Sequence, residues 1–443
     1  MFTNQNQNKD FIRTIFLKMV FLFAAVVYVP ICNSYQESFS STDFESAASV
    51  EETRKKLKNL PKTDIWWNVY GKDQAWYFKN VNLIHPTALI HRYGDISELT
   101  SIPKPEISKF KVNSPLGRME FIQFLNNPQS LTTSVVILQN GKIVFEYYRD
   151  QQPYEKTIYW SVTKIIVSML VGILEDRGLI NFDDPVGLHI NDLKNSAYGD
   201  ITIENLMNMS SGLDCPDNYF DKETCYYEYS SAIGDGYWTE ESPENPYIFV
   251  ATLTPEKSSR QGETYQYSGV NTFILGWLVE EKFNSPLQNV ISKEIWMKIG
   301  AEADGLMLAP RFGVPIMHGG LIARSRDAAR VGLLFTPSYG VVSKEKLVSD
   351  AFITSIKRPT SFMRKESVPY IQTTKESSYP RYHWDSVFSN GDFFKGGWAG
   401  QGFLVNPDKD IVAIYTGYAK DANESQPNFL PILRQVLRHV LSD

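Results

Sequence analysis

Two stretches of clustered apolar positions, one early and one late in the chain, are interrupted by turn residues and predict paired strands. Residues 133–148 carry apolar runs on both sides of Asn140-Gly141, the residue pair that a type I′ hairpin turn favours. Residues 402–405 and 410–415 are two further apolar runs around the turn Asn406-Pro407-Asp408-Lys409. Both ends of the chain are therefore expected to supply one antiparallel sheet.

The middle of the chain shows helical spacing. Residues 161–177 are apolar on nearly every side and are followed by Gly178, a residue typical of helix C-termini, so this helix should be buried. Further helices are predicted at residues 203–209, 272–281, 325–334 and 425–441. The pattern indicates an α+β fold, with an antiparallel sheet flanked by helices and a mostly helical inserted region.

The N-terminal region indicates three parts. Residues 1–34 combine basic positions with the apolar run 19–31, which predicts a signal peptide, or alternatively a membrane anchor or lipoprotein. The chain is then exported, periplasmic or extracellular, or associated with a membrane through its N-terminus. Residues 35–114 are interpreted as a polar linker and an aromatic N-terminal extension that packs on the main domain, residues 115–443.

Composition narrows the class of partner. The net charge of −6 gives no basic footprint, which argues against nucleic acid, and 43% hydrophobic residues are enough for a real core. The six histidines do not group and no cysteine pair has zinc spacing, so neither a metal nor a cofactor is predicted. The sequence does not define the oligomeric state.

Residues 215–246 form a long, acidic, tyrosine-rich stretch without regular spacing, which indicates a functional loop, such as a lid, or a poorly ordered one. Cys215 and Cys225 lie within it. In an oxidising compartment they could form a disulfide, and two free thiols are the alternative.

Candidate chemistry begins at Ser161 and Lys164, which share one face at the start of the buried helix. A hydroxyl, a nearby amine and a helix N-terminus are the parts of an activated serine nucleophile. The same spacing recurs after Ser101, Ser108 and Ser343, but none of these opens a buried helix.

Two downstream stretches, Tyr267-Ser268-Gly269 and Lys395-Gly396-Gly397, complete a set of three. In this order they resemble the motifs Ser-x-x-Lys, Tyr-x-Asn and Lys/His-Thr/Ser-Gly of the serine β-lactamase and penicillin-binding-protein superfamily. Residues 206–213, 319–332 and 400–407 are similar to its class C-related esterase and 6-aminohexanoate-dimer hydrolase branch. The resemblance spans residue 115 to the C-terminus and implies a β-lactamase/transpeptidase-like serine hydrolase.

The resemblance also implies roles. Ser161 would form an acyl-enzyme, Lys164 and Tyr267 would act as a coupled proton-transfer pair, and main-chain N–H groups of Ser161 and Trp398 would hold the oxyanion. Substrate-binding candidates are Lys395, Gly397, Trp160 and His383. Two placements of the Lys395 side chain on its predicted strand are open, one facing the site and one on the surface.

Two departures from the family pattern bear on the substrate. Gly269 replaces the asparagine of the second motif, and Gly396 replaces the hydroxyl residue of the third. Both favour a small ester or amide as substrate, including a short amide with free termini, over a β-lactam. The alternatives are a D-Ala-D-Ala peptidase or β-lactamase, and a catalytically silent envelope-binding module.

Overall fold

The computed structural model describes residues 67–360, 378–423 and 429–441, together with Met363-Arg364 and residues 51, 55, 58 and 65. The chain divides into two units, Met1–Leu60 and Pro61–Asp443. The predicted signal or anchor in residues 1–34 lies outside the described residues, as does nearly all of the linker before Trp67. Within the described ranges, no helix is long and apolar enough to cross a bilayer.

The strands lie in several sheets that draw on both ends of the chain. In chain order they are β1 Thr87–Ile90, β2 Lys111–Ser114, β3 Gly117–Glu120, β4 Thr132–Gln139, β5 Lys142–Tyr148, β6 Thr157–Ile158, β7 Thr264–Tyr265, β8 Gly305–Leu308, β9 Leu321–Ala323, β10 Met363–Arg364, β11 Ser378–Arg381, β12 Trp384–Phe388, β13 Phe393–Gly397, β14 Gln401–Asn406 and β15 Ile411–Gly417.

The helices concentrate between β6 and β11. In chain order they are α1 Gly71–Asn80, α2 Pro105–Lys109, α3 Phe121–Asn126, α4 Thr163–Asp176, α5 Ile203–Met207, α6 Cys225–Ile233, α7 Pro246–Thr252, α8 Gly269–Phe283, α9 Leu287–Ile291, α10 Ser325–Leu333, α11 Asp350–Ile356 and α12 Leu430–Val440.

The main sheet has seven antiparallel strands in the order β11-β12-β13-β14-β15-β4-β5. Early strands β4 and β5 join the late strands through the β15–β4 pairing, as the apolar runs at both chain ends predict. Asn140 and Gly141 have φ of 51° and 71°, which a type I′ turn requires. The α+β expectation, an antiparallel sheet flanked by helices with a helical insertion, is confirmed.

The hydrophobic core lies between the main sheet and the helices α3 and α12. It includes Phe121, Phe124, Leu404, Phe429 and Leu433. The opposite face of the sheet contacts α10 through β15 and β4. Burial of this apolar surface, at about 25 cal/mol per Å², is the main force that holds the helices onto the sheet.

Helix α4 is buried along its first twelve residues, Thr163 to Leu174. The sequence predicts a helix from Ser161, but residues Trp160–Val162 form a 3₁₀ turn and the α-helix begins at Thr163. Gly178 follows the helix with a φ of 67°, as expected for a C-terminal glycine. The turn matters because it places Ser161 at the exposed end of an otherwise buried element.

The segment 215–246 is more ordered than the sequence indicates. It contains helix α6, whose first turn is capped by Thr224, and Cys225 at its start is joined to Cys215 by a disulfide. The disulfide closes a short loop that carries Asp217 and Tyr219. The interpretation as one long irregular loop is therefore wrong, and three of its tyrosines, Tyr226, Tyr227 and Tyr229, are buried residues of α6.

Replacing Cys215 and Cys225 together with serine is expected to lower the free energy of unfolding by about 3 kcal/mol, because a crosslink across a loop of this size restricts the unfolded chain. Urea unfolding monitored by circular dichroism measures the change. Dithiothreitol should produce the same loss in the wild-type protein and none in the variant. Equal unfolding midpoints for wild type and variant would show that the crosslink adds no stability.

Candidate active site

The site begins at the turn that carries Ser161. The Nζ atom of Lys164 donates a hydrogen bond to Ser161 Oγ at 3.2 Å and another to the main-chain carbonyl of His318 at 3.0 Å. Lys164 is completely buried, whereas Ser161 is partly exposed. The buried amine therefore supports a hydroxyl that a substrate can reach.

Burial also sets the protonation of this lysine. The surrounding apolar helix disfavours the ammonium form and lowers the pKa of Lys164 to about 8. Asp217 opposes this shift and Lys395 adds to it, each through its charge. About a tenth of the amine is then neutral at pH 7 and more at higher pH, and the neutral amine is the form that a general base requires.

Tyr267 lies on the other side of Ser161. Ser161 acts on the pKa of its phenol through a hydrogen bond, which lowers that pKa, and its ring centroid is 4.7 Å from both Lys164 Nζ and Lys395 Nζ. Burial, and then the charge of Asp385, raise the pKa of Tyr267 well above its usual value, so it is a neutral phenol at neutral pH. In this form it can carry a proton between two groups but does not start as an anion.

Lys395 is a buried residue of β13, so the surface placement is wrong. Its side chain is 0% exposed, and its Nζ atom donates to Tyr267 Oη at 2.9 Å and to Asp385 Oδ1 at 2.7 Å. Burial lowers the pKa of Lys395 and Asp385 opposes that shift. The third sequence motif therefore contacts the proton-transfer residues directly.

Strand β13 also passes close to the Ser161 turn. A Cβ atom at Gly397 would lie 2.3 Å from the carbonyl oxygen of Tyr159, so only glycine fits there. Trp398 comes directly after it, with its ring centroid 5.5 Å from that of Trp160. This proximity is consistent with an oxyanion site between the Ser161 turn and the end of β13.

Two of the predicted substrate-binding residues are packed inside. Trp160 is 2% exposed and His383 is 3% exposed, and His383 Nδ1 is 3.3 Å from the main-chain carbonyl of Lys164. Burial lowers the pKa of His383 to about 3, so the ring stays neutral. Trp160 belongs to the Ser161 turn itself and His383 contacts the main chain of α4, so both lie at the site, and their contact with a substrate stays a prediction.

An aromatic cluster beside Ser161 includes a residue that the sequence did not single out as part of the site. The ring centroid of Trp67 lies 3.9 Å from that of Tyr219, 4.5 Å from that of Trp398 and 5.3 Å from that of Trp160. Phe78 of α1 contacts the same cluster. The aromatic extension thus adds to the wall of the site, which its richness in tryptophan could have suggested.

Asp217 lies beside Gly269, the position at which the second family motif has an asparagine. Its Oδ1 atom accepts a hydrogen bond from the main-chain N–H of Gly269 at 2.5 Å. A Cβ atom at Gly269 would lie 2.9 Å from the ring of His318 and 3.1 Å from that of Tyr226. His318 and Tyr226 of α6 have thus taken the space that a side chain at this position would need.

Replacing Asp217 with asparagine is expected to move the rising limb of the pH dependence of kcat/KM to lower pH. The carboxylate stabilises the Lys164 ammonium, so its removal lowers the pKa of the base and more neutral amine is present at a given pH. A pH–rate profile with an ester substrate measures the shift. Asp221→Asn, an exposed acid on the same loop, serves as the control, and a limb that stays in place or moves upward would contradict the effect.

His318 forms a buried polar cluster behind Lys164 that the sequence did not reveal. Its Nε2 atom lies 2.8 Å from Asp235 Oδ2 and 3.1 Å from Tyr226 Oη, and its Nδ1 atom lies 3.1 Å from Tyr229 Oη. These bonds fix the main-chain carbonyl that accepts from Lys164. Across the described ranges, His, Cys, Asp and Glu side chains do not gather into any group of three that could hold a metal ion.

An antiparallel sheet, a buried helix and a lysine beside an exposed serine define a serine hydrolase. The model of the Beta-lactamase family matches residues 120–427, which is more than two thirds of the chain. The chain therefore belongs to the β-lactamase family.

Individual relatives point to one branch of that family. The 6-aminohexanoate-dimer hydrolase of Paenarthrobacter ureafaciens is 24% identical over 355 residues, covering 80% of this chain and 87% of the relative. A Bacillus anthracis structure provisionally described as a 6-aminohexanoate-dimer hydrolase has a TM-score of 0.73 at 17% identity and covers 90% of this chain and 99% of its own. A family VIII carboxylesterase has a TM-score of 0.55 at 16% identity and covers 77% and 99%. At 16–17% identity, the likeness to these two solved structures is one of fold alone.

Proposed function

We propose that this chain is an exported serine hydrolase that cleaves a small ester or amide through an acyl-enzyme on Ser161. The observation that carries the proposal is that Ser161, on a partly exposed turn at the start of a buried helix, is bonded to Lys164 and lies beside Tyr267. Neither contact alone would identify a nucleophile. Together they give the hydroxyl a base and a proton carrier.

The first chemical step follows from the protonation states. Neutral Lys164 accepts the Ser161 proton as Oγ attacks the carbonyl carbon of the substrate, and the oxyanion forms between the Ser161 turn and the end of β13. Tyr267, a neutral phenol, passes a proton to the leaving alcohol or amine and is reprotonated from Lys164. Water then attacks the acyl-enzyme. Lys164 and Tyr267 take the proton from the water and return one to Ser161 Oγ, which releases the acid and restores Ser161.

The shape of the site favours simple esters and amides over β-lactams. No side chain fits at Gly269, so the amide that the second family motif would offer is missing, and Asp217 places a carboxylate nearby. Lys395 is bonded to Asp385 and Tyr267 inside the protein, which removes it as a partner for a substrate carboxylate. The names of the relatives, an amide hydrolase and a carboxylesterase, agree with this preference.

Two features support export. The basic and apolar pattern of residues 1–34 is that of a signal or anchor. The disulfide between Cys215 and Cys225 is of a kind that persists in oxidising compartments. A membrane anchor at the N-terminus is the alternative to cleavage, and fractionation of cells that produce the full chain distinguishes the two outcomes.

Turnover of p-nitrophenyl butyrate and of nitrocefin, side by side, tests the proposed substrate class. We expect the ester to be hydrolysed with the higher kcat/KM and Ser161→Ala to hydrolyse neither. Faster turnover of nitrocefin would favour a β-lactamase or D-Ala-D-Ala peptidase instead. A folded wild-type protein that hydrolyses neither compound would favour the silent binding module.

A further inference from the structure

A buried carboxylate lies behind the proton-transfer residues. Asp385 is on β12, and the register that pairs Ser386 with Phe394 places it beside Lys395 on β13. Asp385 is 1% exposed and Lys395 is 0% exposed. Both oxygens of the carboxylate are engaged, Oδ1 by Lys395 Nζ at 2.7 Å and Oδ2 by the main-chain N–H of Gly396 at 2.8 Å.

The direction of the next hydrogen bond follows from donor chemistry. An ammonium group has three donors and no acceptor, so in the bond between Lys395 and Tyr267 at 2.9 Å the phenol oxygen must accept. The phenol proton is then free to point elsewhere. Ser161 is near enough to act on the pKa of Tyr267, and Lys164 Nζ, which is bonded to Ser161 Oγ, lies 4.7 Å from the centroid of the Tyr267 ring. A neutral amine at Lys395 could instead accept the phenol proton and draw it away from Ser161.

We propose that Asp385 is a positioning residue: it holds Lys395 as a buried ammonium, and Lys395 in turn directs the O–H group of Tyr267 toward Ser161 and the leaving group. This inference rests on the proposed function, since it assigns a role within the same proton transfer. Asp385 is assigned no contact with the substrate, and its main route to the reaction runs through Lys395 and Tyr267.

The second contact of Asp385 serves the same site. By accepting from the Gly396 N–H, it fixes the main chain of β13 one residue before Gly397, which packs against the Ser161 turn. One side chain thus sets the positions of the phenol and of the strand beside the expected oxyanion. An error of about 1 Å in such an arrangement can reduce a rate about 10²-fold.

A second buried ion pair on the same strands provides a matched comparison. Asp392, directly before β13, pairs with Arg434 of α12 at 2.8 Å, and both residues are almost fully buried. This pair joins the sheet to the C-terminal helix, and its side-chain partners Asn390, Asn406 and Phe388 lie outside the site. Removing either carboxylate takes the anionic partner from a buried cation, so both changes should destabilise the fold to a similar degree.

The test is Asp385→Asn against Asp392→Asn, with steady-state kinetics on p-nitrophenyl butyrate. We expect Asp385→Asn to lower kcat about 10²-fold with KM changed by less than about twofold, because proton transfer is affected and substrate binding is not. Asp392→Asn should lose stability while its kcat stays near that of the wild type. Equal kcat values for the two variants would overturn the positioning role.

A double-mutant cycle with Tyr267→Phe separates positioning from support of the fold. If Asp385 acts through the phenol, Asp385→Asn should cause almost no further loss of kcat once the phenol oxygen is gone. A purely structural effect would persist in both backgrounds, and a full additional loss in the Tyr267→Phe protein would therefore refute the proposal.

A third variant covers the case in which Asp385→Asn does not fold. Asp385→Asn combined with Lys395→Met removes both charges, which leaves no unpaired ion. This protein should fold and should have the low kcat of Lys395→Met alone, whereas wild-type kcat would overturn the proposal. Failure of the proposed function would be seen separately, as a wild-type protein that hydrolyses no ester and takes up no fluorophosphonate probe.

Discussion

Replacing Lys164 with alanine is expected to lower kcat/KM for an ester about 10³-fold, within the range that removal of a general base gives. The serine hydroxyl would then lose the amine that is bonded to it, and Tyr267, which remains, is a neutral phenol and a poor proton acceptor. In the wild-type protein, kcat/KM should rise with pH through the Lys164 pKa of about 8, because the neutral amine is the active form. Initial rates across pH measure both effects, with circular dichroism to verify folding.

Lys164→Arg is the decisive companion variant. A guanidinium keeps the positive charge but is not deprotonated in proteins, so it can stabilise an anion and cannot act as a base. We expect this variant to be as inactive as the alanine variant. Substantial activity in Lys164→Arg would show that the residue acts by its charge, and near wild-type activity in Lys164→Ala would remove it from the mechanism.

Replacing Tyr267 with phenylalanine is expected to lower kcat about 10²-fold or more, because the phenol oxygen is the only part lost and it connects Ser161 with Lys395. The loss should be larger for amides than for p-nitrophenyl esters, whose leaving group needs little protonation. Comparing kcat for the two substrates in one variant therefore measures the role of Tyr267 as proton donor.

Tyr265→Phe is the matched control, since it removes a buried phenol two residues away on β7. Its kcat should stay near that of the wild type for both substrates. If the Tyr267 and Tyr265 variants behave alike, or if Tyr267→Phe loses ester and amide turnover equally, proton donation to the leaving group is not its function.

Much of the fold could be predicted because it depends on local patterns. The turn at Asn140-Gly141 adopts the positive φ values that this residue pair tolerates, and the apolar helix before Gly178 ends where a glycine can end it. The apolar runs near the C-terminus form β14 and β15. In each case the information lies within a few residues of the element that it determines.

The supporting residues of the site were harder to predict because they depend on distant contacts. Asp385 becomes relevant only when the register of β12 and β13 across the turn at Asn390-Gly391 is known, and Asp217 only when its loop is closed by the disulfide. Trp67 reaches the site from the N-terminal extension. Counting back from Phe394 through that turn would have placed an acidic residue opposite Lys395, which is the one available signal.

The departure at Gly269 has a physical explanation that the sequence alone could not give. In the sequence, the only sign is a glycine where the family motif has an asparagine. The structure shows that His318 and Tyr226 fill the space of the missing side chain and that the main-chain N–H of Gly269 is bonded to Asp217. A carboxyl group therefore lies beside the position at which the family motif has an amide. This exchange is the strongest structural reason to expect chemistry other than β-lactam hydrolysis.

Intact-protein mass spectrometry after treatment with a fluorophosphonate tests the central claim, the nucleophilic Ser161, most directly. We predict the mass gain of a single adduct in the wild-type protein, placed on Ser161 by peptide mapping and absent from Ser161→Ala. Ser168→Ala, which removes a buried hydroxyl of the same helix, should label like the wild type. A folded wild-type protein that gains no mass, or a Ser161→Ala protein that labels equally, would contradict the account.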